Sequence, residues 1–238
     1  MIKSAGVGFH TTESKGPGDY VTAVDRESEA VIVRILSSVF PDLPILAEEK
    51  GGGVPERGWV VDPLDGTTNF SRGFPIVGVS VALLEAGEPV VGAVHAPFMG
   101  FTFTAAVGEG AHDQSGRRLQ LGDPEPKQAV VSTGFPFKTP DQIPRLVATL
   151  ERVLRRVEDV RRPGAASLDL AFAAAGVFDG FFELGLKIWD IAAGALLVTE
   201  AGGVVSDWEG VTGLPRSGNI VAGSPRVHAA LLEATGAG

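Results

Sequence analysis

The chain has 238 residues, of which 20 are Lys or Arg and 29 are Asp or Glu, so its formal net charge at neutral pH is −9. This acidity argues against a nucleic-acid-binding protein that works by neutralising many phosphates, although it leaves room for a local site that binds a small anion. Hydrophobic residues make up 44% and charged residues 21%, which is typical of a folded globular chain.

The sequence contains no cysteine, which excludes disulfides, zinc–thiolate centres, iron–sulfur clusters and cysteine nucleophiles. The four histidines lack the His-x-x-x-His spacing of a zinc site: His10, His95, His112 and His228. The first residues include no apolar block of signal-peptide length, and the longest apolar runs are too short to span a bilayer. We therefore expect a soluble cytoplasmic protein.

Hydrophobic periodicity predicts alternating elements along the first half of the chain. The first 19 residues lack periodicity and are expected to form a loose arm or hairpin. Apolar residues at helical spacing then predict a helix over 26–39. The run at 59–62 predicts a buried strand that ends at Pro63, because proline cannot donate to the strand ladder. Further strands are predicted at 45–47, 77–84, 90–96 and 101–107, the last three as a meander.

The second half alternates strands with helices. Strands are predicted at 129–133, from 160, and at 180–184, 204–206 and 220–222, and helices at 143–157, 167–177, 190–201 and 225–234. The helix over 143–157 is amphipathic, with an apolar face formed by Leu146, Val147, Leu150, Val153 and Leu154. This order predicts an α+β or layered α/β fold, with halves at 1–125 and 126–238 packed as one unit.

The segment WVVDPLDGTTNF, residues 59–70, places two aspartates at the end of a hydrophobic run. Asp62 and Asp65 would repel each other at close range, and a hard divalent cation such as Mg²⁺ removes that penalty. Gly66 permits a tight backbone, and Thr67 and Thr68 follow with N–H groups that suit a phosphate. The spacing thus indicates a metal–phosphate site, but two successive surface turns, Asp-Pro and Asp-Gly, explain the same residues.

Other acidic residues also allow both a structural and a functional interpretation. Glu48 and Glu49 end a short apolar run, where a solvated charged turn is common. Asp190 follows Trp189 at the start of an apolar helix, where aspartate is a favoured cap. Asp25, three residues after Thr22, fits a variant of the capping box equally well.

Taken in order, four segments resemble the inositol monophosphatase family. They are DYVTAVD at 19–25, AEE at 47–49, WVVDPLDGTTNF at 59–70 and WDIAAG at 189–194. The family belongs to the Mg²⁺-dependent, lithium-sensitive phosphatases and has the fructose-1,6-bisphosphatases as relatives. The resemblance runs from about Asp19 to the C-terminal helix. It implies an αβαβα sandwich of alternating helix and sheet layers, commonly a homodimer.

The resemblance also implies a site. Two or three Mg²⁺ ions, with Mn²⁺ as a substitute, would bind Glu48, Asp62, the Leu64 carbonyl, Asp65 and Asp190. The water that attacks phosphorus would be activated by Asp25, Thr67 and Glu48. The substrate would contact Gly66, Thr67, Ala165, Ala166, Glu183 and Asp190, the first two through N–H groups that hold phosphate oxygens.

The implied activity is hydrolysis of a small polyol or sugar phosphate by metal-activated water, with inositol 1-phosphate as first choice. Glu183 favours a polyol, because a carboxylate accepts hydrogen bonds from vicinal hydroxyls. Alternative substrates are fructose 1,6-bisphosphate, 3′-phosphoadenosine 5′-phosphate, histidinol phosphate and NADP, and the alternative class is a non-catalytic metal-binding regulator. No nucleic-acid or membrane partner is expected.

Two features depart from the family pattern, and a set of arginines leaves the substrate open. Ala165 stands where Ser or Thr is frequent, so one substrate hydrogen bond would be missing, and few residues precede Asp25 where the family has a helix. The arginines of the helix over 143–157 most simply form a solvated face. The pairs 155–156 and 161–162 could instead approach the second phosphate of a bisphosphate.

Overall fold

Helices and strands alternate through residues 1–6, 11–16 and 19–236, the part of the chain that the computed structural model describes. Six residues of the predicted arm, at 7–10 and 17–18 and including His10, lie outside it. The helices are α1 (Ile2–Ala5), α2 (Ala23–Val39), α3 (Thr67–Ser71), α4 (Ile143–Leu154), α5 (Ala166–Ala174), α6 (Ile188–Glu200) and α7 (Pro225–Thr235). The strands are β1 (Glu13–Gly16), β2 (Asp19–Val21), β3 (Ile45–Ala47), β4 (Gly58–Asp65), β5 (Gly78–Glu85), β6 (Glu88–Ala96), β7 (Phe101–Ala106), β8 (Gly110–Asp113), β9 (Val130–Thr133), β10 (Asp159–Arg161), β11 (Gly180–Glu183), β12 (Val204–Ser206) and β13 (Ile220–Gly223).

Strands β3 to β8 form a six-stranded sheet in chain order, antiparallel except for the parallel pair β3–β4. The prediction that Pro63 ends β4 was wrong, since the strand continues to Asp65. Strand β3 pairs only with residues 59–61, and the register opposite β5 shifts between Asp62 and Asp65. The ladder therefore needs no N–H at position 63, and both aspartates lie at the carboxyl end of one strand.

The second sheet has five strands in the order β10-β9-β11-β13-β12. Strands β9, β10 and β11 run parallel, and β13 is antiparallel to both β11 and β12. Glu183 is the last residue of β11, an interior strand of this sheet. The parallel strands explain the βα alternation of the second half of the sequence, because parallel neighbours need helical crossovers.

Helices α5 and α6 lie between the two sheets and share one large apolar core with both. Small residues allow this close packing: a Cβ added to Gly194 of α6 would lie 2.5 Å from the Cβ of Leu170 on α5. Helix α2 packs against β4, and α4 and α7 cover the five-stranded sheet through a second core around Trp208. Helix and sheet layers alternate, which confirms the predicted layered α+β fold.

Helix α4 buries a narrower face than predicted. Leu146 and Val153 are buried, but Val147 and Leu154 are 58% and 57% exposed. The helix contacts α7 and the second core along one stripe only, so the predicted five-residue apolar face was too wide. Within the described ranges, no helix is long and apolar enough to cross a membrane.

The buried histidine of α7 makes stability depend on pH. His228 Nε2 lies 2.8 Å from Ser206 Oγ, and burial lowers the pKa of His228 from its ordinary value of 6.5. Below pH 6.5 the unfolded chain binds a proton that the folded chain does not bind, so the free energy of unfolding falls as the pH falls. We expect His228→Gln to lose less stability than wild type between about pH 8 and about pH 5.5 in denaturant titrations. Equal losses would contradict this assignment.

Candidate active site

A pocket of about 220 Å³ lies where the carboxyl ends of β4 and β11 meet the start of α6. Its wall brings together nearly all of the predicted site residues: Glu48, Asp62, Leu64, Asp65, Gly66, Thr67, Ala166, Glu183 and Asp190. Two predicted residues are not on the wall. Asp25 lies behind Thr67, and Ala165 is buried beside Gly66, where a Cβ on that glycine would be 3.3 Å from the Ala165 methyl group.

The two aspartates of β4 are held by different neighbours. Asp62 is buried, and its Oδ1 accepts a hydrogen bond from the Leu64 N–H at 3.0 Å. Asp65 Oδ2 accepts from Ser167 twice, from the N–H at 2.7 Å and from the hydroxyl at 2.6 Å. Each carboxylate thus has at least one oxygen fixed by the protein.

Asp25 and Thr67 form a hydrogen-bonded pair beside these aspartates. Thr67 Oγ1 donates to Asp25 Oδ1 at 2.9 Å. The other oxygen, Oδ2, accepts from the Thr22 N–H at 2.8 Å and from the Thr22 hydroxyl. The capping box that the sequence allowed is therefore present, and it also fixes the carboxylate that faces Thr67.

Glu48 and Asp190 are placed by backbone anchors. The N–H of Glu49 donates to Glu29 Oε2 at 2.7 Å, which holds the turn that carries Glu48. Asp190 is the third residue of α6, and its Oδ2 accepts from the N–H of Lys187, the N-cap residue, at 2.6 Å. It therefore belongs to a capping box at the start of α6 and also lies on the pocket wall.

Burial and mutual repulsion make the carboxylates of the pocket weak acids. Burial raises the pKa of Asp62 well above its ordinary value, and the nearby charge of Glu48 adds to it. Burial, followed by the charge of Asp65, raises the pKa of Asp190 to about 7. Burial, followed by the charge of Asp190, raises the pKa of Glu183 to about 8. These raised pKa values indicate that no positive charge lies at the centre of this group of carboxylates.

A hard divalent cation fits this donor set. The polar groups on the acidic wall are carboxylate and carbonyl oxygens, which Mg²⁺ prefers. A cation would also reverse the repulsion that raises these pKa values. In the described parts of the chain, no three acidic or imidazole side chains are placed so that they could together hold a metal ion, so the carboxylates of the wall would have to move closer around a bound cation. Lys138 supplies a nearby positive charge, with its Nζ 3.9 Å from Glu48 Oε1.

Three supporting residues were not assigned to the site from the sequence. They are Glu29, Asn69 and Ser167. Asn69 Nδ2 donates to the carbonyls of Ile76 at 2.8 Å and Pro163 at 2.9 Å, which ties α3 to the loop before α5. Glu29 lies one helical turn after Asp25 on the same buried face of α2, and this spacing is the signal that could have revealed it.

Comparisons with known proteins agree with the geometry. The profile of the inositol monophosphatase family matches residues 3–237. The protein named Nus factor SuhB from Vibrio cholerae is 44% identical over 225 residues, covering 93% of this chain and 84% of its own.

Two solved structures are similar over almost the whole chain. The extragenic suppressor protein suhB of Bartonella henselae has a TM-score of 0.89 at 40% identity and covers 95% of this chain and 89% of its own. The IMPase of Thermotoga maritima also has a TM-score of 0.89, at 33% identity, and covers 99% and 91%.

Proposed function

The chain belongs to the inositol monophosphatase family, and we propose that it hydrolyses the phosphate monoester of a small polyol or sugar in a Mg²⁺-dependent reaction, with inositol 1-phosphate as the first candidate substrate. The observation that carries the proposal is the presence of Glu48, Asp62, Asp65 and Asp190 on the wall of one pocket, beside the hydrogen-bonded pair Asp25–Thr67. The family model and the Vibrio cholerae relative confirm the resemblance identified from the sequence at the level of the family.

Glu48, Asp62, Asp65, Asp190 and the Leu64 carbonyl would hold the metal ions. Bound Mg²⁺ lowers the pKa of water and offsets charge that develops on the phosphate. The protein supplies position: Thr67, fixed by Asp25, orients the water for attack opposite the leaving oxygen. The N–H groups of Gly66 and Thr67 then offer hydrogen bonds to the phosphate oxygens, where charge increases in the transition state.

Glu183 supports a polyol as the alcohol part of the substrate. It is buried on the pocket wall at the end of β11, close to Asp190, and is not needed to explain a metal site. A Cβ added to Gly134 would lie 2.1 Å from the Glu183 carboxylate, so only glycine leaves that carboxylate space. Its oxygens can accept from neighbouring hydroxyls of an inositol or a sugar.

Phosphate release from a panel of esters tests the proposal. We expect release from inositol 1-phosphate to require Mg²⁺, to stop with excess chelator, and to return when Mg²⁺ is restored. The ranking of kcat/KM across inositol 1-phosphate, fructose 1-phosphate, NADP and histidinol phosphate decides the substrate. If none of these esters is hydrolysed with Mg²⁺ or Mn²⁺, the proposal is wrong and a non-catalytic role is favoured.

The name of the Vibrio cholerae relative, a Nus factor, favours a second role in transcription. For this chain, we propose contact with a protein of the transcription machinery, because a net charge of −9 disfavours broad contact with nucleic acid. Co-elution with purified RNA polymerase, with and without RNA, tests this role. Co-elution that requires RNA, or no co-elution at all, would contradict it.

A further inference from the structure

One arginine of the second half reaches the pocket. Arg162 is on the pocket wall, whereas Arg161 pairs with Asp159, and Arg155 pairs with Glu151 on the outer surface. Arg156 donates to the backbone carbonyl of Arg152. The structure therefore separates the four arginines that the sequence left open, and only Arg162 is placed to meet a bound substrate.

The guanidinium of Arg162 is held in position by its surroundings. Its Cζ lies 5.1 Å from the ring centroid of Phe135 and 5.6 Å from that of Phe137, and the two rings meet edge to face. A Cβ added to Gly164 would lie 2.7 Å from Arg162 Nη1, and that glycine has φ +89°. The aromatic pair and the glycine thus fix the guanidinium over the loop that precedes α5.

Held in this way, the guanidinium makes no direct ion pair. In the described part of the chain no carboxylate oxygen lies within 4.0 Å of it, and its N–H groups donate no hydrogen bond. Its charge still acts on two buried carboxylates, Glu183 and Asp169, where it offsets part of the rise in pKa that burial causes. By contrast, Arg145, Arg155 and Arg226 each pair with a glutamate. Five N–H donors in a planar fork are therefore available beside the pocket.

Arg162 lies beside the loop that borders the expected phosphate position. The loops are adjacent, since a Cβ on Gly66 would be 3.4 Å from the Gly164 carbonyl, and Asn69 bonds the same loop through Pro163. Lys187 lies on the same pocket wall and adds positive charge. We propose that Arg162 binds a second anionic group of the substrate, a phosphate or a carboxylate, beyond the ester that is hydrolysed.

This inference rests on the proposed phosphatase activity. A comparison of two substrates tests the role of Arg162 separately from that activity. Fructose 1-phosphate and fructose 1,6-bisphosphate share the ester at C1 and differ only in the second phosphate. A preformed guanidinium–phosphate contact is expected to raise kcat/KM for the bisphosphate by about 10- to 100-fold over the monophosphate. Identification of the product by phosphorus NMR establishes which ester is cleaved.

Substitution at neighbouring arginines supplies the matched control. We expect Arg162→Gln to abolish the preference by lowering kcat/KM for the bisphosphate alone, and Arg162→Lys to retain part of it. Arg161→Gln, which removes an outward-facing charge one residue away, should keep the full preference. The native mass of each variant is determined in parallel, to detect a change in oligomeric state. This control is needed because the exposed aromatic pair Phe135 and Phe137 is also suited to a subunit contact.

When both fructose phosphates are hydrolysed, three outcomes would overturn the inference. The first is an equal kcat/KM for both substrates in the wild type. The second is an equal loss of kcat/KM on both substrates in Arg162→Gln. The third is a loss of the preference for the bisphosphate in Arg162→Gln together with a change in its native mass. The second would place Arg162 at the hydrolysed phosphate, and the third would assign it to a subunit interface. If neither substrate is hydrolysed while inositol 1-phosphate is, the inference fails and the proposed function stands. If no ester is hydrolysed, the proposed function itself fails.

Discussion

Asp190→Asn is expected to lower kcat for inositol 1-phosphate by about 10²- to 10³-fold at saturating Mg²⁺. Charge stabilisation by a catalytic metal amounts to several kcal/mol, and each 1.36 kcal/mol is a factor of about ten in rate. Asparagine keeps an oxygen that can accept from the Lys187 N–H, so the cap of α6 is retained while one negative charge of the metal site is lost. Phosphate release measures the fall in kcat, and calorimetric titration with Mg²⁺ measures the fall in affinity for the ion.

The fold of this variant can be checked separately. Because burial and the charge of Asp65 raise the pKa of Asp190, the ionised carboxylate is disfavoured in the metal-free folded chain, and neutral asparagine relieves that repulsion. The metal-free variant should therefore melt no lower than metal-free wild type. Asp42→Asn, an exposed aspartate in a turn, is the control that should leave rate and Mg²⁺ affinity unchanged. Unaltered activity in Asp190→Asn would refute the metal mechanism.

Most of the acidic wall could be predicted because its residues lie in short segments at strand ends. Asp62 and Asp65 share one strand, and a hydrophobic run followed by acidic residues is visible without a structure. Their meeting with Asp190 could not be derived from spacing, since it requires α6, which lies between the two sheets, to pack against β4. Only the family resemblance joined those segments before the fold was known.

The errors have a physical pattern. Pro63 was expected to end β4 because a ladder bond was assumed at that position, but pairing with β3 stops earlier, at residue 61. The exposed Val147 and Leu154 of α4 show that helical spacing marks a possible face, while the neighbouring layer decides how much of it is covered. Both errors concern contacts between elements, which local sequence does not contain.

Supporting residues were harder to predict than the acidic residues of the pocket wall. Asn69 lies inside the most informative segment, yet its partners Pro163 and Gly164 are more than ninety positions away in sequence. Glu29 acts through the backbone of Glu49 and not through a side chain. Residues that orient a site through backbone groups therefore leave little trace in composition or spacing.

Thr67→Val is expected to lower kcat by about 10²-fold while KM changes little. Thr67 has one hydroxyl proton, which points to Asp25 Oδ1 at 2.9 Å and to the Leu64 carbonyl at 3.3 Å, so the lone pairs of the Thr67 oxygen are left to accept from water. Valine has nearly the same shape but no hydroxyl, so it removes the contact that orients and helps to deprotonate the attacking water. The backbone N–H of residue 67 is unchanged, and substrate binding through it should persist.

Two variants make the test specific to the hydroxyl. Thr67→Ser restores the hydroxyl and should recover most of the rate, because serine can donate to the same Asp25 oxygen. Thr104→Val makes the same chemical change on an exposed position of β7 and should have no effect on kcat. If Thr67→Val and Thr104→Val have equal kcat values, Thr67 does not orient the water. If Thr67→Val raises KM and leaves kcat intact, the hydroxyl binds substrate, and Asp25 alone would have to position the nucleophile.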